Sequence, residues 1–314
     1  MYELHWGLPV ILYLFLGGLG AGAGTVSASI LLRGGGGDHP DGNFELARWG
    51  AFIAPVAVIV GTGMLVFELG SFEAGYWFRW INLFLVINLS PMSIGSWLLA
   101  FFILVSLGYA YTFLQGESRP GDQLHNLRKA LAWIMVPLGI GVALYTGILL
   151  GAMPARPFWN SPILAMLFLV SALSTGVAIV ILARALFGNS KHEDTGRGTY
   201  ILASSDILLI GFEILVVFLF IMYAHLTFGQ VETAVSVILG GELTNLFWLG
   251  FVVLGLMLPA AIEIKYIIPT LLYQKQYKVN QAAEILICAL VLVGGFLLRY
   301  IVVIAGQVTG PVGI

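Results

Sequence analysis

Long apolar runs dominate this sequence, and they constrain its fold more than any other feature. A membrane-spanning helix needs about 20 apolar residues, and eight runs reach that length. They lie near residues 8–32, 49–70, 89–114, 130–151, 162–187, 201–226, 243–268 and 284–306. Because every backbone N–H and C=O group in hydrocarbon must be hydrogen-bonded internally, each run should be a helix. The sequence therefore predicts an all-α integral membrane protein, one domain over residues 1–314, whose eight spans could form two four-helix bundles.

Composition excludes several classes of protein. Charged residues make up 10% of the chain, against about 25% in soluble domains, and no stretch is polar enough to form a separate soluble domain. A net charge of −2 leaves no basic patch for nucleic acid. The single cysteine, Cys288, cannot supply the roughly four thiolates of an iron–sulfur cluster. The five histidines form neither a metal motif nor a CxxCH haem motif. We therefore expect no haem, iron–sulfur cluster or metal in this protein.

The distribution of Lys and Arg predicts the orientation. Eight spans place both termini on one side, and 11 of the 14 Lys and Arg residues lie in or beside the loops of the opposite side. The face with the termini has only Arg79 and Arg156, and Arg299 lies within the last span. Since cytoplasmic loops carry the excess of positive charge, both termini should lie outside the cytoplasm.

The two outer arginines each stand beside aromatic residues. Arg79 lies in the segment YWFRW and Arg156 in the segment ARPFW. One interpretation is an interfacial aromatic belt with arginines that extend to water. The other is a docking or ligand surface on the outer face. The residues alone leave both interpretations open.

Ionisable residues within the spans need an explanation, because each costs about 2.5–3.5 kcal/mol to insert. The candidates are Glu68, Asp206, Glu213, Glu263 and Arg299. Asp206 and Glu213 are seven residues apart, so both lie on one face of their helix. With Arg184 and Glu68 they could carry protons between the cytoplasmic side and the membrane interior. The structural alternative is a buried carboxylate bonded to a neighbouring hydroxyl or to Arg299.

Several polar and aromatic residues should lie together in the outer half of the protein. They are His5, Glu68, Trp77, Arg79, Tyr145, Arg156, Trp159 and His225. A quinone requires hydrogen-bond donors at its two carbonyl groups, an aromatic slot for its ring and a nearby proton acceptor. This set of residues could supply all three, although none of them would be unusual alone.

Four segments of the sequence resemble the NrfD/PsrC family, the membrane subunits of polysulfide reductase and related complexes. They are WGLPVILYLFLGGLGAGA (6–23), SPMSIGSWLL (90–99), YTGILLGAMPARPFWNSP (145–162) and GGFLLRYIVVIAGQ (294–307). The resemblance implies a subunit of a prokaryotic inner membrane that binds menaquinone or ubiquinone near the outer face. It also implies electron exchange with a docked iron–sulfur subunit of the ferredoxin-like, four-cluster type. Through that subunit the electrons would reach a molybdopterin or other catalytic subunit.

The same resemblance suggests roles for individual residues. Tyr145 is the expected hydrogen-bond donor to a quinone carbonyl, and His5 the second donor, with Glu68 in reach for proton exchange. Arg156 and Trp159 would border the mouth of the quinone pocket. The expected docking residues for the partner are Trp77, Arg79 and Arg156.

Two rival functions remain open on sequence grounds. A secondary transporter would suit eight spans with acidic residues at mid-membrane, but its spans are often interrupted there. Pro55, Pro137 and Pro259 are expected nearer span ends than span centres, which disfavours that reading. A cytochrome b-type subunit needs two histidines on facing helices, and His5 and His225 are the only pair in the outer half.

Overall fold

Helices account for almost all of the part of the chain that the structure describes. The computed structural model describes residues 6–33, 43–69, 81–85, 90–116, 122–188, 196–227, 229–273 and 279–310, and these residues include no β-strand. The helices are α1 Leu8–Arg33, α2 Asn43–Leu69, α3 Asn82–Leu85, α4 Pro91–Leu114, α5 Gln123–Gly151, α6 Ile163–Phe187, α7 Gly196–Leu226, α8 Gln230–Leu239, α9 Leu258–Tyr273 and α10 Gln281–Val308. A π-helical segment, Leu246–Met257, leads directly into α9.

Eight of these helical segments are long and apolar enough to cross a membrane, which confirms the predicted fold class. Most spans begin and end within a few residues of the apolar runs. The largest differences are at the starts of α5, α2 and α7, which lie at residues 123, 43 and 196 rather than 130, 49 and 201, and at the end of α9, at residue 273 rather than 268. These helices continue beyond the apolar runs that predicted them.

The spans pack as two groups of four that meet along α1 and α6. In the first group α1 packs on α2 and α5, and α4 packs on α5 and α2. In the second group α6 packs on α7 and α10, while α10 also packs on the π-helical segment and α9. Helix α1 lies at the centre, with 83% of its most apolar 18-residue window buried.

Small residues allow α1 to approach both groups closely. A Cβ atom added to Gly22 would lie 1.8 Å from the Ala172 carbonyl oxygen on α6, and one added to Gly20 would lie 2.8 Å from the Ala54 carbonyl oxygen on α2. Glycines four residues apart in a span commonly serve such helix contacts. Packing therefore accounts for the glycine-rich sequence of α1.

The expectation that the three prolines lie near span ends is wrong. Pro55 and Pro137 lie near the middle of α2 and α5, and both helices continue through them. Pro259 lies at the second position of α9, where the π-helical segment ends. A proline has no N–H and cannot complete the α-helical bond to the carbonyl four residues earlier. Each of the three prolines thus leaves one such bond unmade, and Pro259, near the middle of the span Leu246–Tyr273, follows a π-helical segment.

Successive spans run in opposite directions, so the protein has two polar faces. Trp6, before α1, is hydrogen-bonded to Gln307 at the end of α10, which brings the start of α1 and the end of α10 to one face. We call it the Trp6 face; the starts of α4 and α6 and the ends of α2, α5 and α7 also belong to it. At the other end Gln281 of α10 donates to the Ala185 carbonyl of α6 at 2.6 Å. We call this end the Arg33 face. The assignment of the Trp6 face to the outside stays a prediction.

Candidate functional site

The Trp6 face brings together three of the four segments that carry the family resemblance. The indoles of Trp6 and Trp159 stack with ring centroids 5.2 Å apart. Trp159 Nε1 donates to the Val302 carbonyl on α10 at 2.7 Å, and a Cβ atom at Gly306 would lie 1.9 Å from the same nitrogen. Trp159 is fully packed in this arrangement, so its indole N–H is already bonded within the protein.

Arg156 connects the α5–α6 loop to the end of α10. Its Nη1 atom donates to the Gln307 carbonyl at 2.9 Å, and its guanidinium lies over the Trp159 ring at 5.9 Å. The Gln307 side chain binds both the N–H and the C=O group of Trp6, at 2.9 and 3.0 Å. A cation that bonds the last carbonyls of a helix is stabilising. The Gln307 side chain thus joins the start of the first span to the last span at the rim, and Arg156 ties the α5–α6 loop to the last span.

The fourth of these segments, residues 90–99 at the start of α4, is contacted by Tyr145. Helix α4 begins at Pro91, and Ser90 accepts a hydrogen bond from the Ser93 N–H at 3.3 Å. One turn later the Tyr145 ring crosses Gly95 so closely that a Cβ atom there would lie 1.7 Å from Tyr145 Cζ. Only glycine leaves space for the phenol at this position.

A second tyrosine, which no sequence motif singled out, stands beside Tyr145. The Tyr13 phenol of α1 lies within interaction distance of the Tyr145 phenol. Tyr13 is fully buried, and its Oη atom makes no hydrogen bond of normal geometry in the described part of the chain. A phenol oxygen can donate one hydrogen bond and also accept, so the pair has capacity to bind a further polar group.

Several predicted site residues cannot be placed. His5, Trp77 and Arg79 lie outside the described residues. Glu68 belongs to the last turn of α2, at the Trp6 face, but its side chain is likewise outside the description. His225 is described: it is exposed and lines an open groove of about 460 Å³ with Glu232 and other residues of α8. This position is not between two facing spans, as an axial haem ligand would be.

A buried polar cluster occupies the interior of the second group of spans. Arg299 of α10 donates to Ser171 Oγ at 2.6 Å and to the Gly295 carbonyl at 2.8 Å. Glu213 of α7 lies beside both Ser171 and Arg299, and its Oε1 atom has no hydrogen-bond partner among the described residues. Both charged side chains are almost fully buried.

Asp206 extends the cluster toward the Arg33 face, on the same buried side of α7 as Glu213. Its Oδ1 atom accepts a hydrogen bond from Ser174 at 2.7 Å. Asp206 also interacts with Glu263 of α9, a carboxyl group that is only 3% exposed. These are the neighbours that the structural alternative requires, namely a hydroxyl for Asp206 and Arg299 for Glu213. The proton path stays a prediction.

An ion pair lies between this cluster and the Arg33 face. Arg184 Nη2 and Glu284 Oε1 are 3.6 Å apart, and their side chains are 16% and 14% exposed. Arg184 also donates to Thr199. Cys288, one turn after Glu284, is buried within electrostatic range of Asp206, Glu263 and Glu284. Arg184 thus lies near the Arg33 face with Glu284 as its ion-pair partner, which the sequence did not indicate, and its role in a proton path stays a prediction.

The described residues define a polytopic helical membrane protein with a tightly bonded rim at one face and a buried charged cluster. The chain belongs to the family described as polysulphide reductase, NrfD, which matches residues 1–311. It is 30% identical to the protein NrfD of Escherichia coli over 98% of this chain and 96% of that protein. It is 31% identical to the C component of the polysulfide reductase of Wolinella succinogenes, over 96% of this chain and 94% of that protein. Identity to the C component of the selenate reductase of Mesobacillus selenatarsenatis is 24%, over 81% of this chain and 65% of that protein. The predicted family is confirmed.

Proposed function

We propose that this protein is the quinone-reactive membrane subunit of a respiratory oxidoreductase complex. Relatives named as components of polysulfide and selenate reductases support the assignment to such a complex. The observation that carries quinone binding is the phenol pair: Tyr145 lies at the meeting point of family-specific segments, and the buried Tyr13 hydroxyl beside it lacks a hydrogen bond of normal geometry among the described residues.

Tyr145 and Tyr13 would bind a carbonyl group of menaquinone or ubiquinone. A quinone supplies two-electron, two-proton chemistry when it is bound. A phenol can donate a hydrogen bond to the carbonyl and can pass a proton to a neighbouring group within hydrogen-bond reach. His5 and Glu68 are the proposed partners in that exchange. Arg156 and Trp159 hold the rim beside the site, because both are bonded to α10.

Electrons would pass between the quinone and an iron–sulfur subunit docked on the Trp6 face. Arg156, with Trp77 and Arg79, belongs to the proposed docking surface. A ferredoxin-like subunit with four clusters would continue the route to a molybdopterin or other catalytic subunit. In this proposal the Trp6 face is periplasmic, in the inner membrane of a prokaryote.

Proton movement toward the Arg33 face is the second part of the proposal. Glu213, Asp206 and Arg184 lie at successive depths along α7 and the end of α6, between the middle of the membrane and the cytoplasmic side. Buried acids in spans commonly serve as proton relays. The arrangement supports coupling of quinone chemistry to proton transfer across the membrane.

The substitution Tyr145→Phe tests quinone binding, since it removes one hydroxyl and keeps the ring. The whole complex should be assayed in membrane vesicles with a quinone analogue, by the change in quinone absorbance. We expect turnover to fall about tenfold, the effect of about 1.4 kcal/mol. Tyr111→Phe is the matched control, because Tyr111 is 59% exposed on α4. Equal turnover in both variants and the unaltered complex would refute the role of Tyr145.

A further inference from the structure

The buried cluster holds more acidic than basic groups. Among the described residues of the second group of spans, Asp206, Glu213 and Glu263 are buried together with one cation, Arg299. Arg299 lies beside Glu213, and Asp206 has the Ser174 hydroxyl as a donor. Glu263 has neither: its Oε2 atom is buried without a hydrogen-bond partner in the described part of the protein.

An unpaired carboxylate in this position would be costly. Burying an uncompensated charge in an apolar interior costs several kcal/mol, and a bound proton removes that cost. With three acids and one guanidinium, the cluster is neutral when two of the acids carry protons. Of the three acids, Glu263 has the fewest neighbouring cations and hydrogen-bond donors. Its carboxyl group is therefore the favoured place for one of the two protons.

Glu263 also lies between the interior of the cluster and the Arg33 face. At about 1.5 Å per residue, Asp206 and Glu263 lie about 15 Å from the helix ends at that face, and Glu284 lies about 5 Å from it. Asp206 interacts with Glu263, and the Cys288 thiol is within range of Asp206, Glu263 and Glu284 alike. Glu213 thus interacts with Asp206 and Asp206 with Glu263, and Cys288 lies within range of both this group and Glu284.

Glu284, the acid nearest the Arg33 face, is partly exposed. Glu284 and Arg184 are 3.6 Å apart and both are partly exposed. Gln281, one turn before Glu284, bonds the last turn of α6 through the Ala185 carbonyl. The ion pair therefore lies at the Arg33 end of the cluster, where the Glu284 carboxyl group can exchange protons with solvent.

We propose that Glu263 is the proton-carrying residue that links Asp206 to the Arg184–Glu284 pair, an inference that rests on the proposed proton coupling. In each transfer one O–H bond of the Glu263 carboxyl group breaks and one forms on Asp206. A proton from the Arg33 face, passed by water at Glu284, then restores the carboxyl group. The reverse order carries a proton toward the Arg33 face, and no electron is transferred.

The test uses the whole complex in sealed vesicles, with turnover of a quinone analogue and proton movement measured in parallel by absorbance and by a pH-sensitive dye. For Glu263→Gln we expect proton movement for each two electrons to fall at least about tenfold, whereas turnover with an uncoupler stays within about twofold of the unaltered complex. Glu263→Asp, which keeps a carboxyl group, should restore at least about half of the proton movement. Glu242→Gln is the matched control, because Glu242 is exposed at the Trp6 face. Unchanged proton movement in Glu263→Gln would overturn the inference.

The two proposals fail in different ways. A complex without quinone turnover would refute the proposed function whatever Glu263 does. Turnover without proton movement in the unaltered complex would refute only the relay.

Discussion

The contact between Gly95 and Tyr145 gives the sharpest prediction. In Gly95→Ala the new Cβ atom would lie 1.7 Å from Tyr145 Cζ and 2.1 Å from its Oη, whereas ordinary contacts begin near 3.4 Å. The phenol must therefore move by about 1.7 Å, or α4 must move by the same distance. Overpacking of this kind typically costs about 1–3 kcal/mol.

The displacement should affect quinone chemistry more than assembly. A misplacement of about 1 Å can cost about 100-fold in rate, so we expect kcat/KM for a quinone analogue to fall between about tenfold and 100-fold. The assay is quinone turnover by the whole complex in vesicles, normalised to the amount of this subunit in the membrane. The fall should be at least as large as in Tyr145→Phe.

Gly63→Ala is the matched control, because a Cβ atom at Gly63 of α2 would meet nothing within 4 Å. It introduces the same methyl group into a helix and should leave turnover unchanged. If Gly95→Ala keeps the unaltered kcat/KM, the position of the Tyr145 phenol does not matter to the reaction and the site is wrong. If both variants lose activity equally, the effect is general and does not come from the contact between Gly95 and Tyr145.

Three further predictions concern the packing, the rim and the cluster. Gly22→Ala places a Cβ atom 1.8 Å from the Ala172 carbonyl and should destabilise the α1–α6 contact by about 1–3 kcal/mol, seen as a lower Tm in detergent relative to Gly63→Ala; an equal Tm would contradict the close approach of these helices. Arg156→Ala removes the bond to the Gln307 carbonyl and should reduce quinone turnover or co-purification of partner subunits, and unchanged values of both would leave only the aromatic-belt interpretation. Glu213→Gln should abolish proton movement in vesicles, and intact coupling would reject the path.

The sequence predicts the spans well because the solvent for them is hydrocarbon. An apolar run of about 20 residues in a membrane has only the helix available, so eight runs give eight helices. The starts of α5 and α7 are less predictable, since polar residues such as Gln123 can extend a helix into water beyond the apolar run. A motif singles out Tyr145, and the cost of buried charge predicts a hydroxyl or Arg299 beside a buried carboxylate without identifying Ser174 as that hydroxyl.

Other parts of the site depend on contacts between helices that are far apart in the sequence, and the hydrophobic periodicity within one helix does not reveal such contacts. Tyr13 lies in an apolar stretch where a tyrosine resembles any other large residue, and only its neighbour on α5 makes it notable. Glu284 meets Arg184 from a helix 100 residues later in the sequence. The side of the helix on which Glu263 lies is hard to predict for another reason. The π-helical segment before α9 changes the helical phase, so counting in α-helical turns from residue 246 misplaces the carboxyl group.

The bonds between Trp6 and Gln307 have a consequence for biogenesis. These residues are separated by 301 positions, so the amide of Gln307 can reach the tryptophan only after the eighth crossing has entered the bilayer. Until then Trp6 has no hydrogen bond to Gln307, and the Trp159 indole that stacks on it has no hydrogen bond to the Val302 carbonyl. The rim is therefore completed last, and a peripheral subunit that recognises it would select fully synthesised chains over truncated ones.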